Sequence, residues 1–402
     1  MSKRLVICGG GSSAHTLIPL LKDSGFEVSI LTSRPELWKH EIKLEYQDPD
    51  GNVLQQFSGK LYKASSNAAE LVPYADYVVL CMPVHKYREA LLNEIGPYID
   101  KNKREVFVGT LYGQGGFNWM VDEMKKRFTI SNVVTFSFEL IPWVCRIVKY
   151  GEKGVTYGCK AVNVAATSPT SYFEQVNEEF FDKICNRWFG KGKTLQSNNF
   201  LSFTLSVDNQ IIHTSRCFGL YKVYGSSWKH KEDVPMFYKD YDEVSADLLR
   251  DLDGDYTKIR KAIQTLYPQK DYRYMLDYLA LERLTYQSQN TDIRESFVTS
   301  KTLVAIASPV VQNEKEEWEL DKNCRFFLDD IYYGNCIAKW IAEQLDIEVP
   351  TIDAIIRWAQ EIRGERLIND DNRLIQDGDL SIYLKSGLPC YYGFTTIDDI
   401  ID

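Results

Sequence analysis

The first fourteen residues constrain this chain more than any other stretch. Leu5-Val6-Ile7-Cys8 is an apolar run, Gly9-Gly10-Gly11-Ser12-Ser13-Ala14 follows at once, and an apolar stretch continues to Leu21. A short apolar run that breaks into glycines and then resumes reads as a buried parallel strand, a tight turn and a helix. The spacing over Gly9, Gly11 and Ala14 is G-x-G-x-x-A. In such a turn the first glycine permits the bend and the second lets backbone approach a diphosphate. The small third residue lets the helix pack on the strand, and the helix start offers amide donors and the positive end of a dipole. Gly9, Gly11, Ser12 and Ala14 are therefore candidates to bind a dinucleotide. The competing reading is a glycine-rich turn in another α/β protein.

The pattern after it supports that fold. Strand-like apolar runs occur at residues 27–32, 75–83, 105–109 and 132–138, interleaved with helical stretches, and residues 154–166 read as late strands of the same sheet. Alternation of this kind predicts a doubly wound parallel sheet. Glu45–Val53 carries an Asp-Gly pair and reads as a hairpin. Pro83, at the exit of its strand, falls where such sheets face their cofactor. From about residue 199 the texture turns helical, at 240–252, 256–266, 272–286, 332–345 and 352–362. The expected layout is an N-terminal dinucleotide domain over 1–198 and a mostly α-helical domain over 199–402, with a substrate cleft between them.

Composition narrows the functions open to the chain. Its 402 residues carry a net charge of −9 and no basic block, which argues against nucleic acid and anionic membranes as partners. No apolar run is long enough to span a bilayer. The nine cysteines are scattered, with no C-x-x-C pair, so a zinc site is not expected; reduced thiols and a cytoplasmic location are.

The end of the second strand bears on the cofactor. NAD sites usually place an acid there for the ribose hydroxyls, whereas NADP sites place small polar residues and an arginine for the 2′-phosphate. Here the sequence is Leu31-Thr32-Ser33-Arg34-Pro35. Ser33 and Arg34 point to NADP(H), with NAD(H) as the alternative if Arg34 is a solvated loop residue.

Only five histidines are present. His40 and His230 read as surface residues, His15 as packing or cofactor-adjacent, and His85 as structural or cofactor-facing. His213 stands one helical turn after Asn209. It reads either as a proton carrier near neutral pH or as a satisfied buried histidine. The segment from Asn323 to Ile331 carries Arg325, Asp329 and Asp330. There an arginine suits a substrate carboxylate and an aspartate suits an imidazole partner, but the segment also reads as an acid-capped helix start.

At this point the chain resembles a known family. CGGGSSAHTL, ADYVVLCMPVHKY, the stretch from Ser137 to Arg146, IIHTSRCFGLYKVYGSSW, VPMFY, CRFFLDDI, Ile356 to Gln360 and Tyr392-Gly393-Phe394 are similar to the opine dehydrogenases, in particular the octopine dehydrogenase-like members. The resemblance runs nearly end to end. It implies NAD(P)H-dependent joining of an amino acid to a 2-oxo acid such as pyruvate, through an imine that is reduced by hydride. It implies His213 as catalytic acid/base, Asp330 as its partner and Arg325 as the third member of the relay, with Gln114, Glu139 and Asn209 near the small-molecule substrates. Two departures stand out. Thr214 follows the histidine where the family usually has proline, and Leu140 follows Glu139 where some members have a hydroxyl residue. The amino-acid partner and the oligomeric state are not readable from the chain. Competing expectations are a hydroxy acid dehydrogenase like the ketopantoate reductases or glycerol-3-phosphate dehydrogenases, and a non-catalytic dinucleotide sensor.

Overall fold

A computed structural model describes residues 2–206, 208–300, 303, 306–375 and 386–401. The chain divides into two compact units, Met1–Phe200 and Leu201–Asp402.

The first unit is built on an eight-stranded, mostly parallel sheet. Its strands are β1 (Lys3–Cys8), β2 (Phe26–Leu31), β5 (Lys63–Ser65), β6 (Tyr77–Leu80), β7 (Val106–Thr110), β8 (Val133–Phe138), β11 (Val162–Ser168) and β12 (Lys193–Ser197), in the order β12-β11-β8-β7-β6-β1-β2-β5. Every neighbouring pair is parallel except β11 with β8. Every residue of β6, β7 and β8 is buried, as strands covered on both faces require. The strand order reverses at β1, which pairs with β2 on one side and β6 on the other. In open α/β sheets the ligand crevice opens beyond the carboxyl ends of the strands at such a reversal.

A second sheet of four strands has the order β4-β3-β10-β9, from β3 (Glu41–Gln47), β4 (Val53–Lys60), β9 (Trp143–Lys149) and β10 (Lys153–Cys159). The hairpin expected near 45–53 is the β3–β4 turn, where Asp48 Oδ1 accepts from Asp50 N at 3.0 Å and Asn52 N at 2.8 Å. Residues 154–166, expected to complete the large sheet, divide between the two: β10 joins the small sheet, while β11 joins the large one antiparallel. The small sheet packs on helix α1 (Ser12–Leu20), whose residues Ala14 to Leu20 are all buried. A helix apolar on every side needs cover on every side.

The second unit is mainly helical. Its central helix, Asn209–Tyr224, is buried from Gln210 to Leu220 and packs on the 24-residue helix Glu243–Leu266. The sequence suggests two helices there, at 240–252 and 256–266, separated by Asp253-Gly254-Asp255. The structure has one. The apolar stripe Ala246, Leu249, Leu252, Tyr256, Ile259, Ile263 runs unbroken through the glycine, and the acids are satisfied. Asp253 pairs with Arg260 at 2.8 Å, and Asp255 accepts from Thr351 N at 2.7 Å at the start of helix Pro350–Arg363. These contacts outweigh the roughly 1 kcal/mol that an interior glycine costs. The helix expected at 272–286 begins only at Tyr278, where Asp277 caps it by accepting from Ala280 N at 2.8 Å. The one expected at 332–345 starts as a π-helical turn, Ile331–Asn335, before α-helix Cys336–Gln344. Among the described residues no helix is long and apolar enough to cross a membrane.

Candidate active site

Gly9 continues β1 with its N–H donating to Leu31 O at 2.9 Å, and it takes φ +105°. A Cβ there would stand 2.6 Å from the carbonyl oxygen of Cys81, just past β6, and one at Gly10 would stand 2.5 Å from the Tyr150 hydroxyl. Only glycine lets the turn lie this close between two strand ends. Gly11 heads α1 with no side-chain cap, and the first turn of the helix contains no acid. The turn itself thus supplies no anion to a helix start that attracts one. Ser12 opens the helix, Ala14 is fully buried beneath it, and Pro83 lies exposed at the exit of β6. The turn fits a dinucleotide diphosphate.

Histidine 15 belongs to the frame of this turn. Nδ1 lies 2.9 Å from Gly11 O and Nε2 2.7 Å from Gly151 N. The backbone partners assign the proton to Nδ1, since a carbonyl accepts and an amide N–H donates. Its ring lies 4.5 Å from that of Trp38 and 5.4 Å from that of Tyr150. Burial lowers its pKa, and the Gly11 carbonyl opposes that shift. Ser33 and Arg34 are exposed at the end of β2, and the Arg34 guanidinium lies 4.1 Å from the centre of the Tyr150 ring.

Two further expected residues of this unit lie at carboxyl ends of central strands. Gln114, in the loop after β7, is buried; Tyr112 Oη donates to its Oε1, and its Nε2 has no hydrogen-bond partner among the described residues. Glu139, the residue after β8, is fully buried, with its N–H bonded to Val164 O at 2.9 Å.

In the second unit, residues 117 positions apart meet. His213 Nδ1 lies 2.8 Å from Asp330 Oδ2, with side-chain exposures of 2% and 5%. The carboxylate takes the Nδ1 proton and leaves Nε2 as an acceptor, and the Tyr238 hydroxyl lies 3.3 Å from it. Phe326 stacks on the imidazole at 3.8 Å and 18°, and Phe237 meets it edge-on at 5.7 Å. Burial holds the His213 pKa well below its usual value, and the Arg325 charge adds to that. Burial pushes the Asp330 carboxyl well up, against the same arginine. Arg325 stands exposed at the head of the one-turn helix Arg325–Leu328, 5.1 Å over the Phe326 ring. Asn209 is the first residue of the His213 helix, half-buried and one turn before the imidazole.

Local structure explains the aim of both groups. Asp330 heads the π-helical turn, accepting from Asn335 N at 2.9 Å. Behind the pair, Gln210 Nε2 donates to Tyr256 Oη at 3.2 Å, and Tyr256 Oη donates to Asn335 Oδ1 at 3.3 Å. This buried chain ties the His213 helix to the turn that carries Asp330. Thr214 sits inside an unbroken helix, its hydroxyl bonded to Gln210 O at 2.5 Å.

Comparison with known proteins bears on the fold and on the family likeness. The alpha-helical domain of the NAD/NADP octopine/nopaline dehydrogenases matches residues 196–363, the segment that carries His213, Arg325 and Asp330. The opine dehydrogenase of Haliotis discus hannai is 26% identical over 428 residues, covering 100% of both chains. Along its whole length the chain is similar to the opine and octopine dehydrogenases. Opine dehydrogenases are NAD(P) oxidoreductases, and the solved octopine dehydrogenase with NADH and L-arginine shares the fold at a TM-score of 0.79. That match is 23% identical and covers 99% of this chain and 97% of the other. A yersinopine dehydrogenase with NADP+ bound matches at a TM-score of 0.61 and 14% identity, over 95% of this chain and 97% of that one. In the second unit, sequence reasoning overlooked Tyr238, Phe237 and Phe326 as neighbours of the imidazole. Phe237-Tyr238 served only as a family marker. The one available signal was aromatic density in VPMFY and CRFFLDDI.

Proposed function

We propose that the protein is an opine dehydrogenase that condenses the amino group of an amino acid with a 2-oxo acid and reduces the imine. The observation that carries this reading is the buried His213–Asp330 pair in the unit matching the family's helical domain. NAD(P)H supplies the hydride. The segment 1–198 holds the dinucleotide and 199–402 handles the substrates. His213 gives a proton to the oxygen that leaves as water when the imine forms, and takes one back in the reverse direction. Asp330 keeps the imidazole in one tautomer and stabilises its charged form, while Arg325 holds negative charge such as a substrate carboxylate.

Gln114 offers an unused buried donor to a substrate oxygen. Glu139 suits an amino or guanidino group, and Asn209 lines the approach to His213. At the cofactor end, Ser33 and Arg34 favour the 2′-phosphate of NADP(H). Nine cysteines with free thiols suit the cytoplasm.

The test is a matrix of amino acids against 2-oxo acids, run in parallel with NADH and NADPH. Cofactor oxidation that needs both substrates is the expected result. Oxidation with the oxo acid alone would make the protein a hydroxy acid dehydrogenase. Tight cofactor binding with no turnover across the matrix would make it a sensor.

A further inference from the structure

The acceptor lone pair of His213 Nε2 faces a side chain of the protein itself. With Nδ1 committed to Asp330, the group at Nε2 is the Tyr238 hydroxyl, 3.3 Å away. The imidazole is 1% exposed and is covered on one face by Phe326, whereas Tyr238 is 7% exposed. Tyr238 is therefore the least buried residue of the three, ahead of Asp330 at 4%. Burial raises its pKa, so the hydroxyl keeps its proton and can always donate.

Tyr238 is also held firmly. It lies on the segment that connects the His213 helix to helix Glu243–Leu266, and that segment is strapped back by Arg216, three residues after His213. The fully buried Arg216 guanidinium donates to Phe237 O at 2.9 Å, Met236 O at 3.2 Å and Asp240 O at 2.8 Å. It also donates to Ser245 Oγ at 3.1 Å and pairs with Asp242 at 2.5 Å. A buried arginine spent on three loop carbonyls fixes backbone, and here that backbone is Phe237, with Met236 and Asp240 on either side of the Phe237-Tyr238 pair.

We propose that Tyr238 is the outermost member of a proton chain, Tyr238–His213–Asp330, with Arg216 as the residue that positions it. This rests on the assignment of His213 as acid/base. When the substrate amine adds to the carbonyl it sheds a proton, which the phenol relays to Nε2; in the dehydration step that follows, the Tyr238 O–H proton passes to the departing substrate oxygen as the phenol oxygen takes the proton back from Nε2–H. The imidazolium becomes neutral, the C–O bond breaks, water leaves, and the phenol never becomes an anion. In the reverse direction each proton moves the other way.

Tyr238→Phe tests the chain, because it removes the hydroxyl and keeps the ring that packs on Phe237 and Phe297 at 4.9 and 5.4 Å. With the substrate pair that the matrix identifies, kcat is expected to fall at least about tenfold, less than the ~10²–10⁴-fold worth of a positioned acid/base because His213 remains in place. KM for the cofactor is expected to stay unchanged. The solvent deuterium isotope effect on kcat is expected to rise above that of the parent, because the proton step becomes limiting. Arg216→Lys is expected to lower kcat in the same direction with the same isotope signature. Parent values of kcat and isotope effect in Tyr238→Phe would overturn the chain. If His213→Ala is inactive while Tyr238→Phe is normal, the relay fails and the acid/base assignment stands. If His213→Ala itself turns over normally, both fail. Nitrogen-15 NMR of the imidazole gives a second reading that needs no substrate. The Nε2 resonance is expected to move towards that of an unbonded ring nitrogen in Tyr238→Phe, and an unchanged resonance would refute the contact.

Discussion

Replacing Asp330 by asparagine separates charge from shape at the centre of the site. The amide is isosteric, and its Oδ1 can still accept the Nδ1 proton that Asp330 Oδ2 takes at 2.8 Å. What disappears is the negative charge beside an imidazole that becomes cationic during proton transfer. Both side chains are almost out of water, at 2% and 5% exposure. At an effective dielectric of about 20, two unit charges about 4 Å apart attract by about 4 kcal/mol. Because each ~1.4 kcal/mol is a factor of ten in rate, kcat is expected to fall about 10³-fold. That loss is made only in the charged transition state, so kcat and kcat/KM should fall together. Stability should move the other way or not at all. Burial raises the Asp330 pKa, so the folded state binds that proton more tightly than the unfolded chain does. Stability then declines as pH rises from the unfolded carboxyl value, about 3.9, through the folded one. The amide escapes this loss, and its Tm at pH 7–8 should equal or exceed that of the parent. Steady-state kinetics and calorimetry on the same preparation read both quantities. A kcat within threefold of the parent would mean that the carboxylate's charge is not felt at the imidazole, and the argument from burial would collapse.

Other expectations follow from the first unit. Arg34→Ala should raise the Kd for NADPH at least about tenfold and that for NADH much less, as judged by cofactor fluorescence; equal effects would remove the 2′-phosphate contact. Gln114→Leu removes a buried donor that has no partner among the described residues, together with the acceptor of Tyr112 Oη, so KM for the 2-oxo acid should rise about tenfold, and an unchanged KM would take Gln114 out of the site. His15 is held neutral by burial, whereas the unfolded chain takes a proton below about pH 6.5. Parent stability at His15 is therefore present above that value and lost as pH falls through it towards the lowered folded value. The Tm advantage of the parent over His15→Gln should accordingly shrink between pH 7.5 and 5; a constant gap would contradict the assignment.

The glycine turn and the central strands were legible because their pattern is local and severe. A strand buried on both faces must be apolar throughout, and a turn at φ +105° against a carbonyl must be glycine. The small sheet was not legible. Strands β9 and β10 look like any late strands, and what assigns them is pairing with β3, about a hundred residues earlier in the chain. Gly254 misled for a related reason: propensity is weighed locally, while Asp253 and Asp255 find their partners at Arg260 and Thr351. In the second unit, spacing pointed to His213 as one of two readings. The meeting with Asp330 across 117 positions was implied only by family resemblance. Tyr238 carried no periodic signal, because a loop strapped by Arg216 is specified by carbonyl oxygens that every residue has.

The packing of the small sheet on α1 spreads the framing of the glycine turn over distant parts of the chain. Tyr150 and Gly151, at the tip between β9 and β10, touch Arg34, Gly10 and His15, residues more than a hundred positions upstream. Swapping residue 34 alone to retune which nicotinamide cofactor is accepted would leave its aromatic backstop in place. If Arg34 holds the 2′-phosphate as proposed, a change of preference has to be engineered as a matched pair, 34 with 150.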